Sequence, residues 1–363
     1  MPFDVDTPAL LLDRSRLQSN LSRMRSRAQR LGVRLRPHMK TAKSIDVARL
    51  LLEPGEGITV STLAEAEYFA RHGVSDILYA VGFEPGKAWR ASQLVAGGAD
   101  LAVIVDSVEM AAWLAESRLA LGVWLEIDTD GTRCGISPDD GRLVEAAARL
   151  GPALRGVMTH AGGAYACHGP DEITDAAARE RAAVVAAARR LGDHGIPVAG
   201  LSIGSTPTAT FAADLAGITE MRPGVFMFQD LYQAGLGVCS IDAIAISVLT
   251  AVIGHRPGEL VVDAGALALS LDRSTARQPV DWGFGALCSE AGEPIDDLYV
   301  RAVTQEHGIV AHRDGGLDVA AHPIGSRLRI LPNHACMTAA AHHRYHVIDH
   351  DDVAEVWPRL TGW

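Results

Sequence analysis

From about residue 16 to 235 the chain alternates between two textures, and this alternation restricts its fold more than any other feature. Short apolar runs occur at 33–36, 57–60, 77–80, 101–105, 123–128, 154–159, 198–203 and 221–226. Amphipathic stretches rich in Ala, Arg and Glu separate them, at 14–31, 63–72, 88–96, 138–150 and 171–191. Strands that are apolar along most of their length belong in a parallel sheet covered by helices. Eight βα units over roughly 220 residues predict a closed (β/α)8 TIM barrel. An open, doubly wound sheet is the competing arrangement.

The texture changes near residue 240. β-branched runs follow at 243–253, 260–262, 298–303, 307–310, 326–330 and 345–348. Turn residues such as Arg256-Pro257-Gly258, Asp314-Gly315-Gly316 and Pro323-Ile324-Gly325 separate them, which predicts an antiparallel β-domain. The run 8–12 is a further strand candidate that could join that domain. The expected division is residues 14–238 for the barrel, and 1–13 with 239–363 for the β-domain.

Composition narrows the possible partners. With 363 residues, 48% of them hydrophobic, the chain can bury a large core and is not a disordered segment. Lys and Arg total 33 against 44 Asp and Glu, a net charge of -11, which argues against nucleic acid or an anionic membrane as partner. No run approaches the length of a transmembrane helix. The start, Met1-Pro2-Phe3-Asp4-Val5-Asp6, has neither the basic nor the apolar region of an export signal. Cys134, Cys167, Cys239, Cys288 and Cys336 are scattered, with no CxxC pair, so free thiols and a cytoplasmic location are expected.

Barrel enzymes carry their chemistry at the C-terminal ends of the strands. The first strand ends in Arg36-Pro37-His38-Met39-Lys40, which would aim a lysine into the barrel mouth; a solvated lysine is the plain alternative. The sixth ends in Thr159-His160-Ala161-Gly162-Gly163 with Tyr165 next, where small residues let a flat ligand approach a histidine. The seventh ends in Gly204-Ser205-Thr206-Pro207-Thr208, a candidate phosphate turn that could equally be a simple helix cap. The eighth reads Met221-Arg222-Pro223-Gly224-Val225. A lysine, a flat-ring stacker, two small-residue turns and an arginine are the parts that pyridoxal 5′-phosphate needs. In the β-domain, Pro332-Asn333-His334-Ala335-Cys336 is taken as extended, which would put His334 and Cys336 on one face as two ligands of one metal. His307 is a further candidate near that metal. The histidines at 342, 343, 346 and 350 are expected to be solvated.

Together these motifs resemble the D-serine dehydratase / D-threonine aldolase family, fold-type III pyridoxal-phosphate enzymes related to alanine racemase. The resemblance covers essentially the whole chain. Further markers are Thr7-Pro8-Ala9-Leu10, Gly131-Thr132-Arg133-Cys134-Gly135, Asp263-Ala264-Gly265 and Gln305-Glu306-His307-Gly308. It implies that Lys40 carries the cofactor as a Schiff base and that His160 stacks on its ring. It assigns Gly204, Ser205, Thr206, Gly224 and Val225 to the phosphate, and Arg222 to the pyridine nitrogen. Many relatives in the aldolase branch lack that arginine. Lys40, His160 and Tyr165 are the catalytic candidates.

The resemblance makes His334 and Cys336 the ligands of a divalent metal, zinc or alternatively manganese. His-x-Cys fits the dehydratases, whereas His-x-Asp would fit the D-threonine aldolases. It therefore implies a lyase acting on D-β-hydroxy-α-amino acids, with Lys40 as general base and the metal binding the β-hydroxyl. Elimination to a 2-oxo acid and ammonia is the expected reaction. Retro-aldol cleavage to glycine and an aldehyde is the alternative, followed by racemisation. A non-catalytic cofactor carrier would lack the β-domain. The family also implies a homodimer and a small-molecule D-amino acid substrate.

Overall fold

A computed structural model describes residues 4–349 and 352–363. Contacts divide the chain into two units. One comprises Arg23–Lys40, Val47–Gly224 and Gly362–Trp363; the other comprises the chain up to Ser22, Thr41–Asp46 and Val225–Thr361.

The first unit holds eight parallel strands: Arg34–Leu35, Ile58–Val60, Asp76–Gly82, Asp100–Val105, Gly122–Glu126, Leu154–Met158, Gly200–Ile203 and Glu220–Met221. Each lies beside its neighbour in sequence, and Arg34–Leu35 pairs with Glu220–Met221. The two remaining edges meet where Thr59 N donates to Pro37 O at 2.9 Å and Met39 N donates to Thr59 O at 2.8 Å. The sheet is therefore a closed ring, as the eight-fold alternation predicts, and not an open sheet. The strands formed where the apolar runs lie because both faces are covered; all of Leu101–Val105 is buried.

Leu78, Ala102, Ile104, Trp124 and Met158 form one interior cluster. Glycines let the Trp124 ring lie against two backbones: a Cβ on Gly156 would sit 2.1 Å from Gly200 O, and one on Gly200 would sit 2.4 Å from the ring. Thr62 and Ser107 cap the helices Leu63–Arg71 and Val108–Ser117 by accepting from Glu65 N and Met110 N.

The second unit is a nine-stranded sheet. In spatial order its strands are Glu259–Val262, Gly308–His312, Pro294–Val303, Ala286–Ser289, Arg327–Leu331, Ile246–Arg256, Ala9–Asp13, Arg344–Asp349 and Asp352–Pro358. Ile246–Arg256 also pairs with Glu259–Val262, so the first six close on themselves. The pairing is antiparallel except between Ala9–Asp13 and Arg344–Asp349. Among the described residues no helix is long and apolar enough to cross a membrane.

A charged column runs through the barrel. Arg36 Nε donates to Glu220 Oε2 at 2.9 Å, and its two terminal nitrogens donate to Asp76 at 2.8 Å each. Glu220 is wholly buried, while its other cation, Arg34, is mostly exposed. Arg36→Met would strand a buried carboxylate and is expected to lower stability in urea denaturation by about 3–5 kcal/mol. Arg34→Met should cost less than about 1 kcal/mol, because Arg34 is mostly exposed and Glu220 keeps Arg36 as its buried partner.

Candidate active site

Four neighbouring strands of the ring bring most of the barrel candidates to one end. Lys40 follows Arg34–Leu35, Arg222 follows Glu220–Met221, Gly204 follows Gly200–Ile203, and His160 follows Leu154–Met158. Because the strands are parallel, their C-terminal ends share a face. Lys40 is partly buried, and its backbone N–H points at His38 Nδ1, 3.4 Å away. His38 N donates to Pro223 O at 2.9 Å, tying the lysine turn to the Arg222-Pro223-Gly224 turn.

The electrostatics show how closely the groups are gathered. Burial, reinforced by Lys40, His160, Arg222 and Arg133, holds His38 well below the usual imidazole range. Burial, then the charges of Arg133, Lys40 and Arg222, lowers His160 to about 3. His160 is thus a neutral imidazole, with Nδ1 3.2 Å from Gly204 O. The Tyr165 ring lies 6.4 Å from the His160 ring, inclined by 40°. Arg222 is buried; Nη2 donates to Thr159 O at 2.5 Å and Nη1 to Ser202 Oγ. Burial lowers its pKa, against the opposing charges of Glu220, Glu180 and Glu126.

Gly204 has φ +119°, a left-handed conformation, and an added Cβ would meet Arg222 N at 3.0 Å. The Ser205 side chain does serve as a helix cap. It accepts from Thr208 N at 3.3 Å, while Thr208 Oγ1 accepts from Ser205 N at 3.0 Å. Thr206 opens the short helix Thr206–Phe211. Gly224 closes this unit; Val225 belongs to the other, where its carbonyl accepts from Gln229 N at 2.7 Å.

A planar phosphorylated pyridine aldehyde fits this set. There is an amine for the aldehyde, a neutral ring, a glycine turn without a Cβ, and a guanidinium that can only donate. Sequence reasoning missed Arg133 as a site residue, although its motif is a marker. Its charge acts on His38, His160 and Glu126. It missed Glu180 as well, whose signal is a carboxylate within the apolar stripe of the helix Pro170–Asp193.

In the other unit, His334 and Cys336 are not on an extended segment. The strand ends at Leu331, His334 caps the helix Ala335–Ala340, and Cys336 is that helix's second residue. The i, i+2 argument therefore fails, but the two side chains still meet, held by a hydrogen bond. Buried Asn333 anchors the turn by donating to Asp272 O at 2.9 Å and Gly283 O at 2.7 Å. Asp230 accepts from Ala335 N at 2.9 Å, and Cys336 Sγ lies 3.2 Å from Thr41 Oγ1.

His334 Nδ1 stands 3.6 Å from Asp272 Oδ2. Burial disfavours a charged His334, but bonds to Asp272 and Cys336 outweigh it and push the group up to about 11. Burial raises Asp272, and the bonds from His334 and Ser274 more than reverse this, to about 2. Imidazole and thiol are two donors of the kind that suits a divalent cation. Among the described residues no three His, Cys, Asp or Glu side chains form a metal-ligating group.

His307 is exposed, with Nδ1 3.4 Å from Thr304 Oγ1. His343 is exposed as expected, but His342 is half-buried, with Nε2 3.0 Å from Ala268 O, and His346 is half-buried too. Position 350 lies outside the described residues.

The His160 shift carries a pH signature. The unfolded chain protonates this ring near 6.5, the folded chain only near 3. The unfolded state binds the extra proton in that window, so stability from this residue is complete above pH 6.5 and falls as pH drops towards 3. The ring-carbon NMR shifts of His160 should stay those of a neutral imidazole from about pH 8 to about pH 5.

Residues 12–231 match the family model of the alanine racemase N-terminal domain, and residues 245–348 match that of a serine dehydratase domain. The chain is 46% identical to the D-threo-3-hydroxyaspartate dehydratase of Delftia sp. (strain HT23), covering 99% of this chain and 98% of that protein. It is 31% identical to the D-serine dehydratase of Dictyostelium discoideum, covering 96% and 95%. A solved structure of a D-threo-3-hydroxyaspartate dehydratase variant in the metal-free form superimposes with a TM-score of 0.97 at 45% identity, covering 99% of each chain. The chain thus belongs to the D-serine dehydratase / D-threonine aldolase family of alanine racemase-like lyases.

Proposed function

We propose that the chain is a pyridoxal-phosphate- and divalent-metal-dependent lyase for D-β-hydroxy-α-amino acids: the β-hydroxyl leaves as water, and the resulting enamine takes up a water on hydrolysis to give a 2-oxo acid and ammonia. The observation that carries this is the convergence of Lys40, Arg222, Gly204 and His160 from four adjacent strand ends. Residues 14–238 are assigned as the cofactor domain, and 1–13 with 239–363 as the domain carrying the metal pair. Bound pyridoxal phosphate supplies an electron sink for the charge left at Cα.

Lys40 holds the cofactor aldehyde and, once released by substrate, is the base for the α-proton. His160 presents an uncharged ring face to the cofactor, beside Tyr165. Gly204, Ser205, Thr206, Gly224 and Val225 are assigned to its phosphate. Arg222 is assigned to the pyridine nitrogen, which a guanidinium donor would keep unprotonated, moderating the sink. Arg133 offers a positive charge to the substrate carboxylate. A divalent ion on His334 and Cys336 supplies Lewis acidity towards a β-hydroxyl leaving group; zinc is assigned, with manganese as the alternative. A cytoplasmic homodimer is the assigned form. Cys336, where the aldolase pattern has Asp, favours elimination over retro-aldol cleavage.

Incubation with D-serine, D-threonine and D-3-hydroxyaspartate, with and without added zinc or manganese, tests the assignment. The expected products are a 2-oxo acid and ammonia in equal amounts. Glycine with an aldehyde would establish the aldolase reaction instead, and racemised substrate unaffected by chelator would establish a racemase. Lys40→Ala should abolish the cofactor's absorbance at the violet edge of the visible range. Cys336→Ala should lower metal affinity and turnover by at least about a hundredfold.

A further inference from the structure

One buried carboxyl group has no part in the chemistry above. The buried face of the helix Pro170–Asp193 consists of Ile173, Ala176, Ala177, Val184, Ala187 and Leu191, with Glu180 in their midst. A wholly buried acid in an apolar stripe is costly unless its oxygens are used. Glu180 Oε1 is used twice. It accepts from Ala161 N at 3.0 Å and from Gly204 N at 2.9 Å.

Those two amides belong to the turns that leave the adjacent strands Leu154–Met158 and Gly200–Ile203. The backbone ladder between these strands reaches Thr159, whose N–H donates to Ser202 O at 3.0 Å. Beyond it the turns diverge, and the carboxyl oxygen joins them. Gly204 is held through both of its flanking peptide groups: its N–H by Glu180, and its carbonyl by His160 Nδ1 at 3.2 Å.

We infer that Glu180 is a positioning residue for the cofactor. Its single accepting oxygen sets the separation between the His160 ring and the Gly204-Ser205-Thr206 turn. This rests on the assignment of those residues to pyridoxal phosphate. Two converging N–H donors need one acceptor with two lone pairs, which a side-chain carbonyl oxygen provides. An apolar replacement leaves both donors buried and unmatched, so the two turns lose their common anchor. Gln keeps the accepting oxygen in the same place; Met keeps the bulk and loses it.

The test titrates cofactor-free Glu180→Gln, Glu180→Met and native protein with pyridoxal phosphate, followed by absorbance. It is run well below each unfolding temperature, with circular dichroism confirming the fold. The Gln variant should bind within about threefold of native, and the Met variant should bind at least about tenfold more weakly. A purely structural role would lower the unfolding temperature without changing the affinity of folded protein. A folded Met variant with native affinity overturns the inference, as does an equal loss in both variants.

If the Met variant does not fold, amide hydrogen exchange of the native cofactor-free protein decides. Ala161 and Gly204 exchanging as slowly as Thr159 supports the inference, and exchange at the rate of exposed turns overturns it. Native protein that binds no pyridoxal phosphate refutes the cofactor assignment instead, and the exchange measurement still reads the Glu180 anchor.

Discussion

A guanidinium sealed inside a barrel needs acceptors that the fold can supply only when its strands are in register. Arg222 is that group, and its acceptors lie on two neighbouring strand ends, Thr159 O and Ser202 Oγ. Ser202 Oγ in turn donates to Glu220 Oε1 at 2.6 Å, and Glu220 meets Arg36, which meets Asp76. Five strands thus contribute to one alternating series of charges and dipoles. A slip of one residue in any of them would turn a member outward and leave its neighbour buried and unmatched. The same series delivers Arg222 to the end of the ring where Lys40 and His160 lie.

The surroundings of that arginine also decide the state of the histidines. His38 and His160 are half-buried beside Lys40, Arg133 and Arg222, so a further positive charge is disfavoured on either ring. Three carboxylates, Glu126, Glu180 and Glu220, keep the arginine charged in spite of its burial. Cations are concentrated at the groups that would face an anionic ligand, and neutral rings lie between them. This division suits a phosphorylated, carboxylate-bearing ligand set.

Much of this organisation is legible in the sequence, for a physical reason. A parallel strand covered on both faces is largely apolar, so most of the barrel strands stand out as runs, although Arg34–Leu35 and Glu220–Met221 each carry a charged residue; the helix Arg14–Leu31 stands out by its periodicity. The strands Ala286–Ser289 and Asp352–Pro358 do not stand out. The first is four residues long, and the second carries Asp and Glu among its apolar positions. The helices Ile45–Leu51 and Val108–Ser117 are too short, or too evenly apolar, to separate from loops. The Lys40, His160 and Arg222 turns follow strands of the ring, as strand-end reasoning expects, because chain order and sheet order coincide. The metal pair was argued from extended geometry that a helix start at Ala335 replaces, and its carboxylate neighbour Asp272 is 62 residues away in sequence. The partners of Glu180 are backbone amides, which leave no mark in residue identity, so its only signal is its place in the apolar stripe of the helix Pro170–Asp193.

The position of the ring's last hydrogen bonds has a consequence for how the site comes into being. Pro37 and Met39 zip the barrel's seam to Thr59, and the very next residue is Lys40. A chain with its eight strands joined by seven pairings and this seam unfastened would have much of its core but no closed ring to hold the amine in place. Architectural completion and chemical competence are therefore coupled in one short stretch of backbone, so a half-built barrel has little means of trapping a reactive aldehyde prematurely.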